Sequence, residues 1–251
     1  MIGCDCDVCR SPDPRDNRTR ASVLIRYREE ESDILRHMLI DTSPEMRLQM
    51  IRHRIGRIDG VFYTHAHADH VFGLDDLRRF NAVSNGPIDL HAEQSVIDYL
   101  NATFWYIFEP ARNVNQSFVA SLLTHRLEPC QPQNHFGATW TPLRLLHGRL
   151  PILGYRIDYQ GSSIAYCTDV SSIPPETYPR LQNLDLLIID ALRYRHHPTH
   201  MTVDQALDVI HQVNPRRSLL THIAHDISHA DLESRLPAGV GIAFDGLCVT
   251  V

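Results

Sequence analysis

The chain has 251 residues, enough for one domain with an ample core, and its 43% hydrophobic and 22% charged residues are ordinary for a globular protein. No apolar run approaches the roughly 18 residues of a membrane-crossing helix, so no membrane partner is expected. A formal net charge of −6 argues against an extended nucleic-acid footprint, which needs Lys and Arg in excess.

The opening Met1-Ile2-Gly3-Cys4-Asp5-Cys6 carries neither the basic stretch nor the apolar run of a secretory signal, and a cytoplasmic location is expected. Three of the six cysteines crowd together at Cys4, Cys6 and Cys9, which reads as metal binding in a reducing compartment. Ser11 to Arg20 reads as a polar loop. Val23–Tyr27 and His37–Ile40 form an expected hairpin around the acidic turn Glu29-Glu30-Glu31-Ser32-Asp33. Asp41-Thr42-Ser43-Pro44 offers an N-cap with proline in the first turn and predicts a helix running to about Arg54.

Asp59–Thr64 is a short buried strand that delivers a histidine cluster into a loop, and Asp69 or His70 opens a helix with Leu74, Leu77 and Phe80 on one face. Pro87–His91 is a strand, and Glu93–Phe108 is read as mostly helical, with an aromatic patch from Phe104 to Phe108 assigned to the core and, as the other reading, to a homodimer surface. Asn113–Thr141 receives no assignment. Leu143–Leu146 is a strand ending at His147, and Leu153–Tyr159 with Ser163–Thr168 make a hairpin ending at Asp169. Asp185–Ile189 is a buried strand ending in Asp190. A capping box at Thr202 and Gln205 starts a helix to Val213, and Ser218–Thr221 is a strand ending at His222. The polar residues of interest stand just after strands, where α/β proteins collect function.

In Thr64-His65-Ala66-His67-Ala68-Asp69-His70 small alanines let the loop bend while imidazoles and a carboxylate converge. Such N and O ligands suit divalent metals, and two metals about 3.5–4 Å apart clamp the attacking and leaving oxygens of a displacement. One motif cannot complete two sites, so His147, Asp169 and His222 are the candidates for the rest, with His125 and His135 competing for the place of His147.

His-x-His-x-Asp-His after a short strand, followed by isolated His, Asp and His at later strand ends, resembles the metallo-β-lactamase superfamily over nearly the whole chain. The resemblance implies an α/β four-layer αβ/βα sandwich formed by a single domain over residues 1–251. It implies that His65, His67 and His147 bind one metal, that Asp69, His70 and His222 bind a second, and that Asp169 bridges them. Asp41 resembles the aspartate that orients a ligand histidine in that family. Manganese, zinc and iron all accept such ligands.

Cys4, Cys6, Cys9 and His225 would close a tetrahedral structural zinc site with no open position. That signature resembles the cyclic phosphate diesterases of the carbon–phosphorus lyase pathway, and a quinone-cofactor biosynthesis branch shares it. By that resemblance, His200, two residues ahead of Thr202, acts on the leaving group, with Asp69 as the other catalytic residue. His200 lies in the basic run Arg193-Tyr194-Arg195-His196-His197, suited to neutralising a phosphate. The family begins with a strand that Met1-Ile2-Gly3-Cys4 lacks, so the first strand is expected to be missing and a sheet edge unprotected.

The expected function is hydrolysis of a small, cyclic phosphodiester. Rivals are RNA processing of the tRNase Z kind, thioester or lactone hydrolysis on the same metal core, and a noncatalytic quinone-cofactor carrier.

Overall fold

The computed structural model describes residues 1–112, 114 and 118–251, and the chain divides into two compact units. The unit Arg20–Glu128 is built on five strands in the order β1-β2-β3-β4-β5: β1 (Val23–Arg28), β2 (Leu35–Ile40), β3 (Gly60–Phe62), β4 (Ile88–Ala92) and β5 (Leu122–Arg126). The predicted hairpin is present, with Val23 opposite Ile40 and Arg28 opposite Leu35. The acidic turn closes through Asp33, whose φ of 53° a short polar side chain tolerates. The later pairings are parallel. β1 ends the strand order among the described residues.

The helices of this unit are α1 (Met46–Arg52), α2 (Ala68–Val71), α3 (Arg78–Ser84), α4 (Gln94–Thr103) and α5 (Trp105–Phe108). Leu39, Val61, Leu74, Leu77, Leu90 and Leu100 are fully buried in their core, each worth about 1.5–3 kcal/mol of burial. Two expectations need correction. The first helix starts at Met46, two residues past Pro44: no side chain caps α1, the Asp41 carboxylate bonds Thr64 and His70, and the Ser43 hydroxyl donates to the Gln49 side chain. The helix expected after Asp69 is broken into α2, a 3₁₀ turn (Leu74–Leu77) and α3, although Leu74, Leu77 and Phe80 share the buried face as predicted. The break falls at Gly73, where the backbone passes so close to residue 43 that an added Cβ would lie 2.2 Å from the Ser43 carbonyl oxygen. Glu93–Phe108 is mostly helical as predicted, in two helices parted at Phe104, which leaves helical geometry at φ −107° and ψ 38°.

The second unit joins Met1–Thr19 to Pro129–Val251. Its seven strands run in the order β12-β11-β10-β9-β8-β7-β6: β6 (Gln133–His135), β7 (Ala138–His147), β8 (Leu150–Tyr159), β9 (Ser162–Cys167), β10 (Leu186–Asp190), β11 (Arg217–Thr221) and β12 (Val240–Ile242). β6 to β9 pair antiparallel, and β9 to β12 pair parallel. The unassigned stretch Asn113–Thr141 thus holds β5, β6 and the start of β7, while Asn113 and residues 115–117 lie outside the described residues. β5 evaded prediction because its residues are exposed or half-buried and show no clear alternation.

Helix α6 (Val203–Val213) has the predicted capping box: Thr202 Oγ1 accepts from the Gln205 backbone N–H, and the Gln205 side chain accepts from the Thr202 N–H. Val203, Ala206, Val209 and Val213 form its buried stripe. Helix α7 (His229–Glu233) is capped by Ser228. The N-terminal arm is fastened to this unit by polar bonds: Asp16 accepts the His229 N–H at 2.8 Å, and Asp245 accepts both the N–H and the hydroxyl of Thr19. Among the described residues no helix is long and apolar enough to cross a membrane.

Candidate metal centre

In the Arg20–Glu128 unit, the chain leaves β3 through Tyr63 and Thr64 into the histidine motif. Thr64 is tied to the end of β2: its N–H and its hydroxyl each donate to an Asp41 carboxylate oxygen at 2.8 Å. The same hydroxyl, having spent its proton on Asp41, accepts from Nδ1 of His65 at 2.9 Å, so His65 presents its Nε2 lone pair. His70 donates from Nδ1 to Asp41 at 2.8 Å and by the same logic presents Nε2. Nε2 of His65 and Nδ1 of His67 are 3.0 Å apart, close to the roughly 3.0–3.4 Å that separates two nitrogens each about 2.0–2.1 Å from one ion. Asp69 Oδ2 lies 3.7 Å from Nε2 of His70. Asp41 is wholly buried, which pushes its pKa up, while His70 and the Thr64 donors pull it back.

In the second unit the ends of β7, β9 and β11, alternate strands of the sheet, present the other candidates. His147 ends β7 and donates from Nδ1 to the Thr199 carbonyl at 2.7 Å, which again leaves Nε2 to bind. Asp169 follows β9, where the Thr168 hydroxyl holds one of its oxygens at 2.8 Å, and Nε2 of His222 stands 3.4 Å from Asp169. His200 lies among them, its ring 4.7 Å from that of His147 and stacked 4.8 Å from that of His222. Donor atoms of His147, Asp169 and His200 all lie within 4.8 Å of one another. His197 packs edge-on to His200 at 5.0 Å, at the end of the basic loop.

Asp190, at the end of β10, carried no role in the sequence reading. Its carboxylate lies 2.7 Å from Nδ1 of His200 and is fully buried. Burial pushes its pKa well up and the nearby Asp169 adds to the rise, against His222 and the backbone N–H groups of Val170 and Leu192. In the sequence it is only a carboxylate ending a buried strand, and its meaning comes from its place beside His200. Of the competitors of His147, His125 sits on β5 bonded to Asp89 at 2.7 Å, and His135 lies on the edge strand β6.

Asp41, Asp169 and His222 share one backbone feature, with φ of 61°, 55° and 59° just past a strand end. Left-handed non-glycine residues are uncommon and cost of order 1 kcal/mol or more.

The cysteine cluster comes together as expected. The donor atoms of Cys4, Cys6, Cys9 and His225 all lie within 4.8 Å of one another, and Sγ of Cys4 and of Cys6 are each 3.5 Å from Nδ1 of His225. Bonds of about 2.3 Å to sulfur and about 2.0–2.1 Å to nitrogen at tetrahedral angles give a sulfur–nitrogen edge of roughly 3.6 Å, so the residues fit zinc. The His225 hydrogen bond, then the Cys9 N–H, draw the Cys6 thiol down to about 6, toward the thiolate a metal needs.

Residues 36–223 match the model of the β-lactamase superfamily domain, three quarters of the chain. The chain belongs to that superfamily. Its fold is the metallo-β-lactamase fold, as the motif implied, and the superfamily's metal-binding hydrolase character agrees with the His and Asp clusters. The chain is similar to a diphosphatase of the PhnP family in a crystal structure, with 39% identity, a TM-score of 0.86 and coverage of 98% of this chain and 90% of that one. It is 39% identical to a protein of Porphyromonas gingivalis named octanoyltransferase, over 98% of this chain but only 48% of that relative's length. It is 23% identical to ribonuclease Z of Staphylococcus epidermidis, covering 84% of this chain and 85% of the relative.

Proposed function

We propose that the protein is a dinuclear metal-dependent phosphodiesterase for a small, cyclic phosphodiester. The observation that carries this reading is His200: a histidine bonded at Nδ1 to a buried carboxylate, its ring against two candidate ligands, His147 and His222. That is the arrangement of a proton donor beside a metal centre. In this reading His65, His67 and His147 hold one metal, Asp69, His70 and His222 the other, and Asp169 bridges. Cys4, Cys6, Cys9 and His225 hold a structural zinc.

When bound, a manganese, zinc or iron pair supplies charge neutralisation at phosphorus and lowers the pKa of a water. The chain's own residues orient and protonate. Asp41 fixes His70 and, through Thr64, His65; the Thr199 carbonyl fixes His147. Protonated His200 gives the Nε2 proton to the departing oxygen as the phosphorus–oxygen bond breaks, keeping its Nδ1 proton on Asp190. The basic loop from Arg193 to His197 supports an anionic substrate. Donor-assisted departure matters most for an alkoxide, the leaving group a ribosyl cyclic phosphate provides.

A second reading, hydrolysis of a phosphoric anhydride, is favoured by the name of the 39% identical diphosphatase. Ribonuclease action is disfavoured by the net charge of −6. The name octanoyltransferase belongs to a protein about twice as long, so transfer or thioester chemistry is not assigned to the matched part by that name alone. The deciding experiment loads the protein with manganese or zinc and offers ribosyl cyclic phosphates, 2′,3′-cyclic nucleotides, an aryl phosphodiester, a diphosphate, thioesters and lactones. Turnover of the cyclic diesters supports the reading. No phosphodiester turnover at full metal occupancy sinks it.

A further inference from the structure

In the Arg20–Glu128 unit, the outer face of α1 is basic in a chain whose net charge is −6. From Met46 to Ile58 there is no acidic residue, while Arg47, Arg52, Arg54 and Arg57 all fall in that stretch. At about 100° per residue Met46 and Met50 take one side of α1, where they are buried, and Arg47, Leu48, Ile51 and Arg52 take the other. Leu48 and Ile51 lie in the middle of that face, 55% and 62% exposed, with Arg47 and Arg52 on its flanks. Past the helix, Arg54 is exposed and left-handed at φ 54°. Arg20 is held alongside, since the Gln49 side chain donates to its carbonyl and its N–H donates to Glu45. Arg57 pairs with Asp59. Among the described residues no carboxylate pairs with the side chain of Arg20, Arg47, Arg52 or Arg54.

We infer that this face docks an acidic, amphipathic segment of another protein, whose apolar side chains cover Leu48 and Ile51 and whose carboxylates meet the surrounding arginines. The inference stands apart from the phosphodiesterase reading and needs no residue of the metal centre. An apolar centre inside a polar rim is the anatomy of a protein contact, and arginine is among the residues that carry most of its energy. A solvated helix ordinarily sets carboxylates three or four positions from its cations, and α1 sets none there. Its arginines are left to neutralise something outside the unit. The charge pattern favours a protein over the other occupants. A second copy paired through α1 about a two-fold axis brings Arg47 against Arg52 when the helices are antiparallel, and each arginine against itself when they are parallel. A lipid surface holds a helix in proportion to the apolar area it inserts, and two side chains on a seven-residue helix insert little. Single-stranded RNA binds on aromatic platforms, and no Phe, Tyr or Trp stands between Arg47 and Arg57. A patch this small suits a transient contact.

The test titrates the zinc-loaded protein with a synthetic helical peptide in which leucines at i and i+4 are flanked by glutamates, and with a scrambled peptide of the same composition. The amphipathic peptide should shift the amide signals of α1 in ¹⁵N–¹H spectra. Its affinity should fall by about 10-fold or more as salt is raised from about 0.02 M to about 0.5 M, and the scrambled peptide should bind about 10-fold more weakly. The charge-reversed pair Arg47→Glu with Arg52→Glu should lose the acidic peptide and take up its lysine counterpart. Ile51→Gln should weaken binding without altering the salt dependence.

Arg54→Gly separates the surface from the fold. Glycine suits a left-handed residue at a helix end, so Tm should hold or rise in this variant while peptide binding weakens. Failure of the amphipathic peptide to bind, equal binding of its scramble, or unchanged binding by the charge-reversed protein would overturn the inference. So would tighter binding of phosphatidylglycerol vesicles or poly(U) than of the peptide, lost in the same charge-reversed protein, which would assign the face to lipid or to RNA. A dimer in sedimentation that Ile51→Gln dissolves would assign it to a second copy and overturn the inference equally.

Discussion

Asp41 and His70 are separated by 29 positions in the chain, yet a carboxylate oxygen of the first lies 2.8 Å from Nδ1 of the second, both without solvent exposure. The same carboxylate takes two donors from Thr64. One buried acid thereby sets the orientation of His70 directly and of His65 through the Thr64 hydroxyl.

Asp41→Ala should therefore weaken binding of catalytic metal by about 10- to 100-fold, and destabilise the fold by about 1–3 kcal/mol through the donors it strands. Asp41→Asn, which keeps one acceptor, should lose less of both. Metal titration of the apoprotein and urea unfolding of the metal-free variants separate the two effects. Wild-type metal affinity in Asp41→Ala would show that the motif holds its own shape.

His225 of the cysteine cluster and His222, the proposed ligand of the second metal, share a loop. His225 is three residues beyond His222, and Arg18, from the N-terminal arm, donates to the carbonyls of Ala224 and Ile227 at 2.7 and 2.8 Å. Cys6→Ser should cost one equivalent of zinc by elemental analysis and also loosen the catalytic metal that depends on His222. Arg18→Ala should loosen it with the zinc retained. Unchanged zinc content in Cys6→Ser discards the structural site.

What the sequence revealed and what it hid follow one physical division. His65, His67, Asp69 and His70 were legible as candidate ligands because they are contiguous, and the α6 cap because both of its partners lie within four residues. His147, Asp169 and His222 were legible as strand ends. Asp190 was not, since a buried strand-end carboxylate acquires meaning only when β10 is set beside β9 and β11. Asp41 was legible only through the family resemblance, since nothing local marks it as a buried acceptor and its partner His70 lies 29 positions away.

Thr202→Ala tests whether the helix start and the proposed proton donor are coupled. Loss of the cap should cost about 1 kcal/mol in urea unfolding. His200 is bonded to Asp190 and not to the cap, so kcat should stay within about twofold on the proposed reading. A large fall in turnover with wild-type stability would mean that α6, more than Asp190, positions His200.

Gly73→Ala addresses the other half of the motif. The glycine N–H donates to the Thr42 carbonyl at 2.9 Å, and the Thr42 N–H donates to the His70 carbonyl at 2.8 Å, so α2 is laced to the segment that follows β2. A methyl group at position 73 would meet the Ser43 carbonyl oxygen at 2.2 Å and the Met46 Cβ at 3.0 Å, backbone and the root of a side chain that cannot swing away. Relief requires separating the two segments, at an overpacking cost of about 1–3 kcal/mol. Because Asp41 and Asp69-His70 stand at the ends of those segments, the separation should lengthen the Asp41–His70 bond and lower metal affinity in the same variant. Urea unfolding and metal titration of Gly73→Ala should therefore fall together. A variant that loses stability and keeps wild-type metal affinity would show that the Asp41–His70 pair tolerates movement of its supports.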